Sequence, residues 1–182
     1  MIFTPLPLVG AFRIDLDRRE DSRGFFARMV CETEFAAHGL NTRWAQMNTS
    51  LTREAGSVRG LHFQRPPMAE VKLVKCVAGA ILDVIVDLRA GSGTFGHWHG
   101  VELSAENRTM MYVPEGFAHG FQTLTSDCEL IYLHSCAYSA SHEGGLRHDD
   151  PALVIGWPLP VTGLSPRDAA HPLLTGIEAI QP

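Results

Sequence analysis

KLVKCVAGAILDVIVDL, residues 72–88, decides the fold class. Two runs rich in Val, Ile and Leu flank Ala78-Gly79, where glycine permits the positive φ of a tight turn. Strand alternation puts Lys72, Val74 and Cys76 on one face and Leu73, Lys75 and Val77 on the other. The stretch therefore reads as a β-hairpin, with Lys72 looking inward among apolar neighbours and Lys75 reaching solvent near an edge. A second hairpin is expected from about 117 to 134, turning at Thr125-Ser126-Asp127. Its return strand gives Cys128, Leu130, Tyr132 and His134 a common face.

Outward from these segments, 17 Gly and 11 Pro punctuate many short apolar runs, the pattern of a sandwich or barrel. Helix is scarce. Residues 32–38 (ETEFAAH) suit two turns ended by Gly39. Ser165-Pro166-Arg167-Asp168 reads as a helix start, with Ser as N-cap, Pro at N1 and an acid at N3. No repeat or linker interrupts the chain. The expectation is one all-β domain over 1–182, with short helices at its periphery.

Composition narrows the function classes. A chain of 182 residues, 45% apolar and 19% charged, can bury a full core. A net charge of −5 without a Lys/Arg block offers no footprint for nucleic acid or an anionic membrane. No apolar run approaches the ~20 residues of a spanning helix, and MIFTPLPLVGAF makes a poor signal peptide. Cys31, Cys76, Cys128 and Cys136 lack zinc-ligand spacing. A reduced, cytoplasmic protein is expected.

The chemistry-bearing residues are concentrated. RGLHFQRPP at 59–67, EGFAHGF at 115–121 and Tyr132 place histidines, an arginine and a phenol on short strands, with Lys72 inward nearby. That set suits removal of a proton from carbon beside a carbonyl. Each residue alone has a plainer reading. A strand histidine such as His62 or His119 is usually a satisfied core residue, and a strand tyrosine usually packs. An N3 acid such as Asp168 caps its helix, and Arg23 could be a solvated turn charge. The main rival chemistry is metal binding by His97-Trp98-His99 with Glu102, since residues two apart on a strand share a face.

With these segments in view, the chain resembles the dTDP-4-dehydrorhamnose 3,5-epimerase family of cupin-fold sugar-nucleotide enzymes. The resemblance runs through DSRGFFAR (21–28), AQMNTS (45–50), RGLHFQ (59–64), residues 72–89, residues 94–121, LIYL (130–133), HDDPALVIGWP (148–158) and LSPRDA (164–169). It implies a cupin-type jelly-roll barrel of antiparallel strands, a homodimer, and no cofactor or metal. It also implies His62 as general base, Tyr132 as proton donor and Asp168 as partner of the base. Substrate contacts carry over to Arg23, Phe26, Gln46, Asn48, Arg59 and Lys72, and to His119, Tyr138, Glu143 and Arg167. The HWH segment falls on a strand outside the reactive centre.

The implied reaction is epimerisation of a nucleotide-diphosphate 4-keto-6-deoxyhexose at C3 and C5. The carbonyl acidifies both positions, His62 removes a proton to give an enolate, and Tyr132 protonates the opposite face. A histidine of ordinary pKa near ~6.5 suits the base, and a phenol near ~10 stays protonated. Lys72 serves the enolate oxygen as a preorganised charge, with Arg59 or His119 assisting. Arg23 and Arg167 suit the diphosphate. Alternatives are a 3-epimerase or enzyme for another nucleotide sugar, and lower still a metal-dependent or non-catalytic sugar-binding cupin. Arg28, Thr49, Leu133 and Ala137 depart from residues common in the family, around the nucleotide rather than the base and acid.

Overall fold

The computed structural model describes residues 1–181. Four short strands, β1 (Ile2–Pro5), β2 (Phe12–Asp15), β3 (Arg19–Asp21) and β4 (Gly24–Phe26), precede helix α1 (Glu32–Ala37). Then come β5 (Gln46–Thr52), β6 (Val58–Gln64), β7 (Lys72–Ala78), β8 (Ala80–Asp87) and β9 (Trp98–Ser104). The last elements are β10 (Met110–Val113), β11 (Phe117–Thr123), β12 (Cys128–His134), β13 (Glu143–Gly145) and helix α2 (Pro166–Ala169). A six-stranded sheet in the order β1-β2-β10-β7-β12-β5 faces a five-stranded sheet β13-β6-β11-β8-β9, while β3 and β4 form a separate ribbon. All pairings within the sheets are antiparallel.

The two expected hairpins are corrected by this topology. The strands and their faces are as read, but β7 and β8 do not pair; they enter opposite sheets from the corner at Gly79. Likewise β11 and β12 part at residues 124–127, β11 pairing with β6 and β8 and β12 with β5 and β7. Alternation fixes which face of a strand is apolar but not which neighbour completes its ladder. Here both strands of each pair turn an apolar face to the same interior, so crossing between sheets buries more than pairing within one. The corners brace each other, the Ala80 N–H donating to Thr125 Oγ1 at 3.1 Å.

Lys75 is a second correction. It is buried on the outer face of β7, its ammonium donating to the Arg108 carbonyl at 2.7 Å. β7 is a central strand, and the chain around β10 covers the face expected to be open. That face holds Ile14, Leu73, Met110 and Tyr112, sealed by Phe35 of α1. Between the sheets lie Val74, Cys76, Ile81, Ile85, Phe121 and Leu130. Beyond the five-stranded sheet, Leu61, Val84, Val86 and Ala118 pack under Leu146, Leu153 and Ile180 of the C-terminal segment. Cys76 and Cys128 are buried free thiols, and burial pushes Cys76 up to about 11, so it packs as an inert hydrophobe.

The sheets touch where β9 meets β7 and β10, and remain apart where β5 faces β6. On that open side β6 and β11 approach unusually closely. A Cβ on Gly60 would lie 2.7 Å from the Gly120 Cα, and one on Gly120 would lie 2.6 Å from the Arg59 carbonyl. The glycines of RGLH and AHGF thus answer each other across one ladder, next to a register shift after His119. Gly120→Ala is expected to lower the urea midpoint, with roughly 1–3 kcal/mol lost to overpacking. Gly93→Ala, which meets nothing within 4 Å, serves as the matched surface control, expected within about 0.5 kcal/mol of wild type. Equal midpoints for the two variants would contradict the close approach.

Candidate active site

Register brings the histidines together. His62 on β6 and His119 on β11 are directly opposite Cα partners, so their imidazoles leave the same face of the five-stranded sheet. Facing them from the other sheet are Tyr132, His134 and Lys72, the last two paired across β12 and β7. A cleft of about 420 Å³ contains all five side chains, with Asn48 and Arg59 at its wall. Its floor is apolar, because the same inward faces continue into Val74, Leu130, Ile85 and Phe121.

The Ser165 cap positions the acid beside His62. Ser165 Oγ accepts the Asp168 N–H at 3.0 Å, as the N-cap and N3 spacing predicts, and this turns the carboxylate toward β6. Asp168 Oδ1 lies 2.7 Å from His62 Nε2, and Oδ2 accepts the Gly60 N–H at 3.2 Å. Burial works to raise the Asp168 pKa. The hydrogen bond from His62, its charge and the Gly60 N–H outweigh that and hold the carboxyl at about 2.

Three other groups complete the polar wall. His119 Nε2 is 2.7 Å from Asp83 Oδ1, and Asp83 is fully buried with its second oxygen unpartnered. Burial raises the Asp83 carboxyl against the pull of His119. Lys72 Nζ stands 3.2 Å from Glu70 Oε1, whose other oxygen is 2.7 Å from His134 Nδ1. Burial opposes ionisation of Glu70, yet the hydrogen bond from His134 and the charge of Lys72 leave its pKa below the ordinary value. Tyr132 is within 2.9 Å of Ser50 Oγ, and burial, offset only partly by that bond, pushes its pKa well above that of a free phenol. It remains a protonated donor at neutral pH.

Other expected contact residues occupy an adjoining recess. Gln46, Tyr138 and Glu143 border it, and it shares Asn48, His62, Lys72 and His134 with the main cleft. The Gln46 side-chain oxygen accepts the Tyr138 N–H, while Tyr138 donates its hydroxyl to Glu143 at 2.7 Å. Arg167 reaches the cleft and is ion-paired with the same Glu143. Arg59 has no ion-pair partner among the described residues. Arg23 and Phe26 stand elsewhere: both sit on the β3–β4 ribbon, outside the cleft of their own chain. The Arg23 side chain is 88% exposed and turned back on Asp21 by a local ion pair.

The HWH segment does not converge. β9 begins only at Trp98, so His97 lies in the preceding turn, and His99 and Glu102, three apart, leave opposite faces of the strand. The departures have local partners. Arg28 pairs with Glu34, the Thr49 hydroxyl donates to the Leu130 carbonyl, Leu133 packs in the outer core, and the Ala137 carbonyl accepts from Gln64.

Asp83, Glu70, Ser50 and His171 escaped the sequence reading. Asp83 carried a signal, an acid at an inward position of β8 between Ile81 and Ile85. Glu70 stands two residues before Lys72. His171 gave none, since its place depends on the turn that leaves α2. Its ring packs edge-on to His62 with centroids 5.5 Å apart.

Fold and cleft together define a cupin-type jelly roll whose open side sets a histidine–aspartate pair opposite a half-buried phenol. The chain belongs to the dTDP-4-dehydrorhamnose 3,5-epimerase family: the family model of that description matches residues 5–176. The dTDP-4-dehydrorhamnose 3,5-epimerase of Sinorhizobium fredii is 46% identical over 155 residues, 85% of this chain and 80% of that protein. The dTDP-4-dehydrorhamnose 3-epimerase of Streptomyces niveus is 41% identical over 169 residues, 92% of this chain and 81% of the relative. The crystal structure of dTDP-6-deoxy-D-glucose-3,5-epimerase from Legionella pneumophila, in complex with dTDP-4-keto-L-rhamnose, superposes with a TM-score of 0.91. It is 37% identical, the match covering 98% of this chain and 95% of that one.

The lowered Asp168 pKa has a stability consequence with a definite sign. A depressed carboxyl stabilises the fold above its unfolded pKa of 3.8 and loses that contribution as pH falls through about 2. Wild type is expected to exceed Asp168→Asn in denaturant midpoint at pH 6, with the gap narrowing from pH 4 downward. A gap that stays constant to pH 3 would contradict the assignment.

Proposed function

We propose that the protein epimerises a dTDP-linked 4-keto-6-deoxyhexose at C3 and C5, without cofactor or metal. The observation that carries this reading is the position of His62 and Tyr132 on opposite sheets, facing each other across one cleft. A ring bound between them exposes one face to an imidazole and the other to a phenol. His62 takes the proton from the carbon beside the ketone, and the electron pair moves onto the carbonyl oxygen as an enolate. Tyr132 then delivers its own proton to the opposite face of that carbon, inverting it.

Asp168 orients the His62 ring and offsets the charge of the imidazolium that forms. Lys72, within 3.4 Å of the His62 carbonyl at the cleft wall, supplies positive charge to the enolate oxygen. His119, steadied by Asp83, adds a second polar group on the base side. Arg59, exposed and without an ion-pair partner among the described residues, suits the diphosphate together with Arg167, and Gln46, Asn48, Tyr138 and Glu143 border the path of the nucleotide. The second reading, inversion at C3 alone, is favoured by one observation: the relative named a 3-epimerase is about as similar as those named 3,5-epimerases.

We also infer that the working form is a homodimer. Phe26 is 72% exposed on a ribbon that leaves its own cleft, which supports its delivery, with Arg23, to the cleft of a second copy. The four cysteines are all free, which supports work in the reducing cytoplasm.

Incubation with dTDP-4-keto-6-deoxyglucose in deuterated water is expected to place deuterium at C3 and C5; label at C3 alone would establish the second reading. His62→Ala should reduce exchange by at least about 100-fold while remaining folded. Tyr132→Phe should still lose substrate protons but yield little inverted product; normal product formation would exclude Tyr132 as the acid. Mixing the inactive Arg23→Ala and His62→Ala proteins should restore activity, because one cleft of each hybrid dimer then has both residues. No recovery from a verified hybrid would place each ribbon with its own cleft.

A further inference from the structure

His171 lies beside the His62–Asp168 pair without taking part in its hydrogen bonds. Its side chain is 12% exposed, its Nε2 has no hydrogen-bond partner among the described residues, and it stands 3.5 Å from Asp168 Oδ1. The space for this ring exists because residue 145 is glycine: a Cβ there would overlap the His171 imidazole. Gly145 is the register partner of His62 on β13, so His171 is seated directly next to that histidine.

His62, Asp168 and His171 each offer one ligand atom, and the three atoms lie within 4.8 Å of one another. Zinc bonds of about 2.0–2.1 Å in a tetrahedron require ligand atoms roughly 3.3 Å apart. The His171–Asp168 separation already fits, and the His62–Asp168 separation of 2.7 Å need open only slightly. The Gly60 N–H on the far carboxylate oxygen orients that ligand from behind, and the partly exposed His62 leaves the fourth position facing the cleft.

We propose that these three residues form a binding site for a divalent ion of zinc type, and that occupancy silences the enzyme by engaging His62. The silencing, though not the binding, rests on the reading of His62 as the base. The ion is a reversible inhibitor competing with catalysis, distinct from the metal set weighed at residues 97–102.

Zinc titrated into the metal-free protein by calorimetry is expected to bind one equivalent per chain and abolish epimerisation. Cobalt(II) at the same site should give the visible absorption of a four-coordinate ion, a readout independent of turnover. His171→Ala should retain epimerase activity, bind zinc at least about 10-fold more weakly and resist inhibition. His171→Phe, which keeps a flat ring over Gly145 but no ligand atom, should behave alike if the alanine variant is unstable. Unchanged zinc affinity in both variants, no stoichiometric binding to wild type, or activity that rises with zinc would overturn the proposal. Binding and spectrum without inhibition would uphold the site while removing His62 from the role of base.

Discussion

The contact on which the cleft depends joins residues more than a hundred positions apart, the His62 ring and the Asp168 carboxylate. It spans from a sheet strand to a four-residue helix that has little stability of its own. The helix is held at one end by its serine cap and at the other by this bond and the Gly60 N–H. Without that anchorage the segment carrying Arg167 would have few ties to the barrel, and the imidazole would have freedom to rotate. A charge-assisted bond is stronger than a neutral one, and here, between a buried carboxylate and a partly exposed imidazole, it fixes two elements at once.

The interior shows how a sandwich can be core and reaction vessel together. Along each inward strand face, apolar residues give way to polar ones: Cys76 and Val74 to Lys72 on β7, Leu130 to Tyr132 and His134 on β12, Phe121 to His119 on β11. The apolar part holds the sheets at a fixed separation, so the polar groups meet across a gap set by packing rather than by loops. Most of the cleft's polar groups are paired, histidine with acid in three places and lysine with Glu70, which limits the cost of withdrawing them from water.

Much of this was legible from residues alone. Alternation identifies the strands, turns Lys72 inward and puts Tyr132 and His134 on one face with Cys128 and Leu130; the capping pattern locates α2 and the turn that presents Asp168. What alternation could not supply was partnership. The segments 72–88 and 117–134 have every local mark of hairpins, yet their strands belong to different sheets, because ladder choice depends on burial summed over the whole barrel. Lys75 was misplaced for the same reason, as its cover comes from residues about thirty-five positions later. Arg23 and Phe26 show a different limit: a resemblance identifies such residues without stating in whose cleft they stand.

The corners at Gly79 and at residues 124–127 carry a kinetic meaning. Because each of these two turns sends its strands apart, neither can start a ladder at its own bend; sequential pairing is confined to β1–β2, β3–β4 and β8–β9, and the other ladders of both sheets must wait for partners distant along the polymer. Such non-local wiring favours slow folding, with the entropy of large loops spent before the sheets assemble. A peptide cut to residues 72–88 would lack every partner its edges require, and the barrel is therefore acquired as a whole rather than grown from a seed.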